Sequence, residues 1–158
     1  MVSNLIGGNS SASKYIVVIG CGRLGSLLAG RLSAEGNSVV VIDQKESAFE
    51  NLSSEFSGFQ IVGDASEMAT LKKAKLDKAD CLLVVTREDN VNLMVAQIGR
   101  IFFETPVVLA RVFDPAREAI YREFDIDTIS PTQLSADSFM QKLNTHQVST
   151  SAPTEGVA

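Results

Sequence analysis

The stretch YIVVIGCGRLG, residues 15–25, decides the fold. Its first five residues are apolar and mostly β-branched, and the run ends at a glycine, which reads as a short buried strand. Gly20-Cys21-Gly22-Arg23-Leu24-Gly25 then matches G-x-G-x-x-G. Beyond it, Leu24, Leu27, Leu28 and Leu32 fall on one face of a helix over residues 23–35. A glycine turn between strand and helix is a cradle for phosphate. Gly20 permits the tight turn, Gly22 lets a pyrophosphate approach backbone N–H groups, and Gly25 lets the helix sit close to the strand. Asp43 ends the next apolar run, about 20 residues on, where a dinucleotide fingerprint requires a carboxylate. There it is placed to accept hydrogen bonds from both ribose hydroxyls of an adenosine. It would repel a 2′-phosphate, which disfavours NADP.

The alternation of apolar strand and amphipathic helix continues along the chain. A second strand covers 39–42. A helix is expected over 45–57, with Ala48, Phe49, Leu52 and Phe56 inward, then a third strand over 59–62 and a short helix over about 66–74. A fourth strand spans 81–85. The long helix after it, from 88 to about 102, carries Val91, Met94, Val95 and Ile98 on one stripe. A fifth strand covers 107–110 and a short sixth covers 128–129. Asp114-Pro115 and Ser130-Pro131 each set a capping residue before a proline at the first helical position, and so open the last two helices. The final helix is expected to end near residue 143. This pattern predicts an α/β fold, a Rossmann-type doubly wound six-stranded parallel sheet in a single domain, with strand order 3-2-1-4-5-6. Residues 14–144 form the predicted domain. Residues 1–13 and 145–158, rich in Ser, Thr, Gly, Asn or Pro, read as flexible tails.

The 158 residues, 45% hydrophobic and 21% charged, suit one soluble domain that needs neither disulfide nor metal to build a core. A net charge of -5 argues against non-specific nucleic-acid binding. Cys21 and Cys81 form no C-x-x-C pair, which fits a reducing cytoplasm, and the single histidine, His146, cannot assemble a zinc site. No apolar stretch approaches the roughly 20 residues of a membrane helix, and residues 1–13 do not read as a signal peptide. The expected location is cytoplasmic, reaching the inner face of a membrane only through a partner.

Other residues are candidates for the same site. Arg23 lies in the first turn of its helix, where a cation is unfavourable unless an anion is present. Asp64 follows the third strand near the expected adenine, although Asp64-Ala65-Ser66-Glu67 also reads as a capping box. Thr86 ends the fourth strand, and Thr86-Arg87-Glu88-Asp89 has the same ambiguity. Arg111 leaves the fifth strand on the ligand side, a salt bridge to a local acid being its alternative role. Cys21 fills the variable position of the turn. The candidate nucleotide site therefore comprises Gly20, Cys21, Gly22, Arg23, Leu24, Gly25, Asp43, Gln44, Gly63, Asp64, Ala65, Thr86 and Arg111, with no catalytic and no metal residue.

Taken together, the segments Ile19 to Gly25, Val41-Ile42-Asp43, Gly63-Asp64-Ala65-Ser66, Thr86-x-x-Asp89-x-x-Asn92, Ala110-Arg111-Val112 and Ile129-Ser130-Pro131 resemble the RCK (KTN) domain, specifically the N-terminal domain of TrkA-type potassium-uptake regulators. The resemblance covers residues 14–143. It departs at Arg122-Glu123-Phe124-Asp125-Ile126-Asp127, where family members often read E-x-x-G-A-D and this chain has no glycine. The resemblance implies a cytosolic regulatory subunit that binds NAD(H), ATP, ADP or AMP and controls a membrane potassium channel or transporter. It implies a homodimer or higher ring, formed partly through the last helix, and nucleotide contacts at Gly20, Gly22, Arg23, Gly25, Asp43, Asp64 and Thr86. The stripe Ala136, Phe139, Met140 and Leu143 on that helix would pack against a second copy, or else on its own sheet. The alternative function is an NAD-dependent oxidoreductase domain. That reading needs a proton donor and a substrate pocket, and the Rossmann unit takes up nearly the whole chain.

Overall fold

A computed structural model describes residues 12–149, as six parallel strands in the order β3-β2-β1-β4-β5-β6. The strands are β1 (Tyr15–Ile19), β2 (Ser38–Asp43), β3 (Phe59–Val62), β4 (Cys81–Val84), β5 (Val107–Arg111) and β6 (Asp127–Ile129). The helices are α1 (Arg23–Ala34), α2 (Met68–Lys73), α3 (Asp89–Gln97), α4 (Glu118–Glu123) and α5 (Pro131–Ser149). β1 lies at the centre, with Val17 level with Val40 of β2 and Leu82 of β4. Its side chains alternate between two cores. Val17 and Ile19 join Ile42, Leu82 and Val84 under Leu71 of α2, Val95 of α3 and Tyr121 of α4. Ile16 and Val18 join Val39, Val41 and Leu83 against Ala29 of α1 and Phe49. Burial on both faces is why these strands read as unbroken apolar runs.

The helix expected over 45–57 is a single 3-10 segment, Glu46–Asn51. Leu52 is already extended (φ -68°, ψ 142°), and Ser53-Ser54 follow, whose hydroxyls compete for backbone hydrogen bonds. Its inward residues keep their places all the same: Phe49 is buried, and Ala48, Leu52 and Phe56 pack on the same core. The long helix after β4 is α-helical only over Asp89–Gln97 and finishes as a π-helical segment, Ile98–Phe102, in which the Phe103 amide bonds to the Ile98 carbonyl. Asp125 stands in for the glycine that the family often has there. It takes a left-handed conformation (φ 54°), which Asp tolerates better than most residues, and it pairs with Arg100.

The two cap-and-proline devices form as expected. Asp114 accepts a hydrogen bond from the Ala116 amide, and the Ser130 hydroxyl accepts one from the Gln133 amide. The last helix passes the expected end near 143 and continues to Ser149, so residues 145–149 are helical where a tail was expected. Residues 150–158, and residues 1–11 of the expected N-terminal tail, lie outside the described residues.

Candidate nucleotide-binding cleft

A cleft of about 800 Å³ opens at the C-terminal ends of the strands, where β1 has β2 on one side and β4 on the other. Such a crevice forms where successive crossovers leave the sheet in opposite directions. Every sequence candidate except Gly25 lines it. Gly25 lies beneath: a Cβ there would come 1.8 Å from the Gly20 carbonyl oxygen, so only glycine lets α1 seat on β1. Gly20 turns the chain at φ +98°. Gly22 differs from both. Its backbone (φ -76°, ψ -164°) suits any residue, and a Cβ built on it meets nothing within 4 Å. The fold does not require glycine at position 22. The space above it, beside the unpaired first-turn amides of α1, is what a side chain would fill.

Asp43 ties the turn to β2. One carboxylate oxygen accepts from the Cys21 amide at 2.8 Å and the other from the Lys45 amide at 2.9 Å. Each oxygen keeps a lone pair for a further donor. The Cys21 thiol is buried, and burial, then the Asp43 charge, push its pKa up to about 11, which makes it inert at neutral pH. Asp64 does not cap α2, whose N-cap is Glu67. It closes an Asx turn instead, accepting from the Ser66 amide at 2.8 Å. Hydrogen bonds from Ser66, and then from Gln44, hold its carboxyl below its ordinary pKa, so it faces the cleft ionised.

The Thr86 hydroxyl donates to Asn92 Oδ1 at 2.6 Å, while the Asn92 amide group donates to the carbonyls of Thr86 and Arg111. Asn92 is fully buried and locks the ends of β4 and β5 to α3. Arg111 makes no salt bridge, contrary to its alternative role. Its guanidinium lies 4.0 Å over the Phe113 ring, and its buried Nε has no hydrogen-bond partner. Among the described residues the only ion pairs are Arg100–Asp125 and Arg117–Asp114, so Arg23, Arg87 and Arg111 all face the cleft without a carboxylate partner.

Several lining residues were not candidates for the site in the sequence. Lys45, Ala48, Asn51, Arg87, Glu88, Val91 and Phe113 are brought in by the topology. Asn51 donates to the Cys21 carbonyl and so braces the turn from the far side. Arg87 was legible only as a filler inside a capping box. That box does not form as read: the N-cap of α3 is Glu88, and Thr86 serves it through a 3.3 Å bond to the Glu88 amide. The chemistry on offer is recognition of an anion flanked by a polar, ribose-compatible end.

The TrkA-N domain family matches residues 16–131. The Trk system potassium uptake protein TrkA of Streptomyces coelicolor is 35% identical over 129 residues, 82% of this chain and 58% of that protein. The chain thus spans under two thirds of that relative. The fold is similar to the TrkA-N domain of the inner membrane protein ybaL from Escherichia coli (TM-score 0.75, 20% identity, 84% of this chain and 98% of that one). It is also similar to the GsuK channel bound to NAD (TM-score 0.74, 22% identity, 89% of this chain and 25% of that one).

Proposed function

The chain belongs to the TrkA-N domain family, and from that premise we propose that it is the nucleotide-sensing module of a regulator of potassium transport. The ligand is an adenine nucleotide, NAD(H) or ATP, ADP or AMP. Its phosphates lie over residues 22–25 and its ribose lies on Asp43. The observation that carries the reading is Gly22, a glycine that neither backbone conformation nor crowding demands, set where a phosphate would need the space. The NAD bound by GsuK and the potassium-uptake role of the Streptomyces relative support the same ligand class and the same process.

Within this reading the module binds and does not catalyse. Oxidoreductase chemistry needs a proton donor or acceptor beside the cofactor. Asp43 and Asp64 hold backbone amides, and the single histidine, His146, lies on α5. No described helix is long and apolar enough to cross a membrane, so a membrane partner, a potassium channel or transporter subunit, carries the signal. A second copy of the chain completes the module through α5, whose side chains at 132–146 are all exposed.

A calorimetric panel of NAD, NADH, ATP, ADP, AMP and NADP tests the ligand class. At least one adenosine ligand binds, and Asp43→Ala weakens it by about 1–3 kcal/mol, the usual cost of a charge-assisted hydrogen bond. Unchanged affinity in that variant, or equal affinity for NADP and NAD, removes the ribose from Asp43.

A further inference from the structure

The cleft has two chemically different ends. On the β2 and β3 side it is polar and mainly acidic, with Asp43, Gln44 and Asp64 next to Lys45. On the β4 and β5 side it carries Arg87, Arg111 and Phe113, with the exposed carboxylate of Glu88 beside them. The glycine turn of β1 lies between them, because β1 sits between β2 and β4 in the sheet. A nucleotide with its ribose on Asp43 and its first phosphate over Gly22 therefore extends its next groups toward the two arginines.

Among the described residues, neither arginine has a carboxylate partner. Arg87 is exposed and makes no ion pair, and the Arg111 Nε is buried without a partner. The Arg111 guanidinium lies over the Phe113 ring, and Phe113 is itself held by the hydrogen bond that its backbone N–H donates to Asp89 Oδ1 (2.9 Å). The Asn92 side chain anchors the Arg111 carbonyl at 3.0 Å. Burial first, then the charges of Arg87 and Arg23, hold the Arg111 pKa below its ordinary value, with Asp89 opposing them. A cluster of like charges in this state is relieved by an incoming anion.

We propose that Arg87 and Arg111 form a clamp for the terminal phosphates of an adenosine di- or triphosphate, so that the cleft ranks ATP above AMP and above NAD+. This rests on reading the cleft as an adenine-nucleotide site and says which member of that class it favours. AMP ends at the glycine turn and leaves the clamp empty. NAD+ brings a cationic nicotinamide ring toward two guanidinium groups, which repel it. The β- and γ-phosphates instead bring negative charge and paired oxygens suited to planar, forked donors.

Calorimetry on the full chain, in magnesium-free buffer at fixed ionic strength, tests the clamp with ATP, ADP, AMP and NAD+. ATP binds at least about tenfold more tightly than AMP, the equivalent of one charge-assisted hydrogen bond. Arg87→Ala and Arg111→Gln each collapse that ratio toward one, chiefly by weakening ATP. Arg87 is exposed, so its variant reports even if Arg111→Gln perturbs the fold, which circular dichroism checks. If NAD+ binds as tightly as ATP, or if Arg87→Ala weakens ATP and AMP by the same factor, the clamp is wrong while the adenine-nucleotide reading stands. If the wild-type chain binds none of the four, AMP included, the reading itself fails and the clamp with it.

Discussion

A Cβ added at Gly25 would lie 1.8 Å from the Gly20 carbonyl oxygen, and one added at Gly22 would point into open space. Two glycines of one motif thus have different reasons to be glycine, and the difference can be measured. Gly25→Ala forces α1 away from β1 and costs several kcal/mol, in the range of about 1–3 kcal/mol or more expected for overpacking. Its urea midpoint falls sharply. Gly22→Ala keeps the wild-type midpoint within about 0.5 kcal/mol, as surface changes do, and loses nucleotide binding in calorimetry. A Gly22→Ala variant that binds as the wild type does would take away the observation on which the functional reading rests. The motif spacing made both glycines and Asp43 legible in the sequence. It could not make Arg87 legible, because an arginine two residues past a strand end looks solvated until the sheet order sets it beside Arg111. Nor did it reveal that the Thr86 hydroxyl is spent on Asn92, since that pairing spans six residues and needs α3 folded back over β4.

At the scale of elements, apolar periodicity located every strand, and its errors fell where helices end or change type. Lys45 to Ser57 has the apolar spacing of a helix, yet packing of Phe49, Leu52 and Phe56 needs only a 3-10 segment followed by extended chain. Periodicity reports which side chains turn inward, and it is blind to how the backbone brings them there. The last helix is the opposite case. Its stripe was legible, but what covers it was not, because a sequence does not say whether an apolar face meets its own sheet. In the structure Leu134, Phe139, Met140 and Leu143 are 57%, 71%, 59% and 55% exposed. A 19-residue helix whose side chains at 132–146 are all exposed is marginal in water, since most helical stability in proteins comes from burying one face. A symmetric contact between two copies would bury Phe139 and its neighbours at roughly 1.5–3 kcal/mol per large side chain. Light scattering is expected to give a dimer for the wild type and a monomer for Phe139→Asp. A wild-type chain that stays monomeric with and without nucleotide would exclude α5 as the dimer contact.

For the whole molecule, the strand order follows from the alternation of strands and helices with short, right-handed crossovers, and it was predictable down to the position of each strand. The same order sets the layout of the cleft, because it places Asp43 and Asp64 on one side of β1 and Arg87 and Arg111 on the other. The chain carries a net charge of -5, yet it sets Arg23, Lys45, Arg87 and Arg111 around one opening that only Asp43, Asp64 and Glu88 line in return. The charges of Arg87 and Arg23 disfavour the charged form of Arg111, a repulsion that a polyphosphate bound there would offset. Ligand binding should therefore appear as global stability. A nucleotide at 100 times its Kd adds about 2.7 kcal/mol if it binds only the folded state. For a domain of this size that corresponds to a rise in Tm of roughly 5–10 °C. Differential scanning calorimetry at several ATP concentrations should follow this dependence, with Gly22→Ala melting at the wild-type temperature alone and failing to rise with ATP. Added salt should shrink the gain, since the attraction is between charges at an open cleft. A salt-independent rise would mean that the bound phosphates are held by backbone amides, and that the arginines contribute little to the stability the ligand confers.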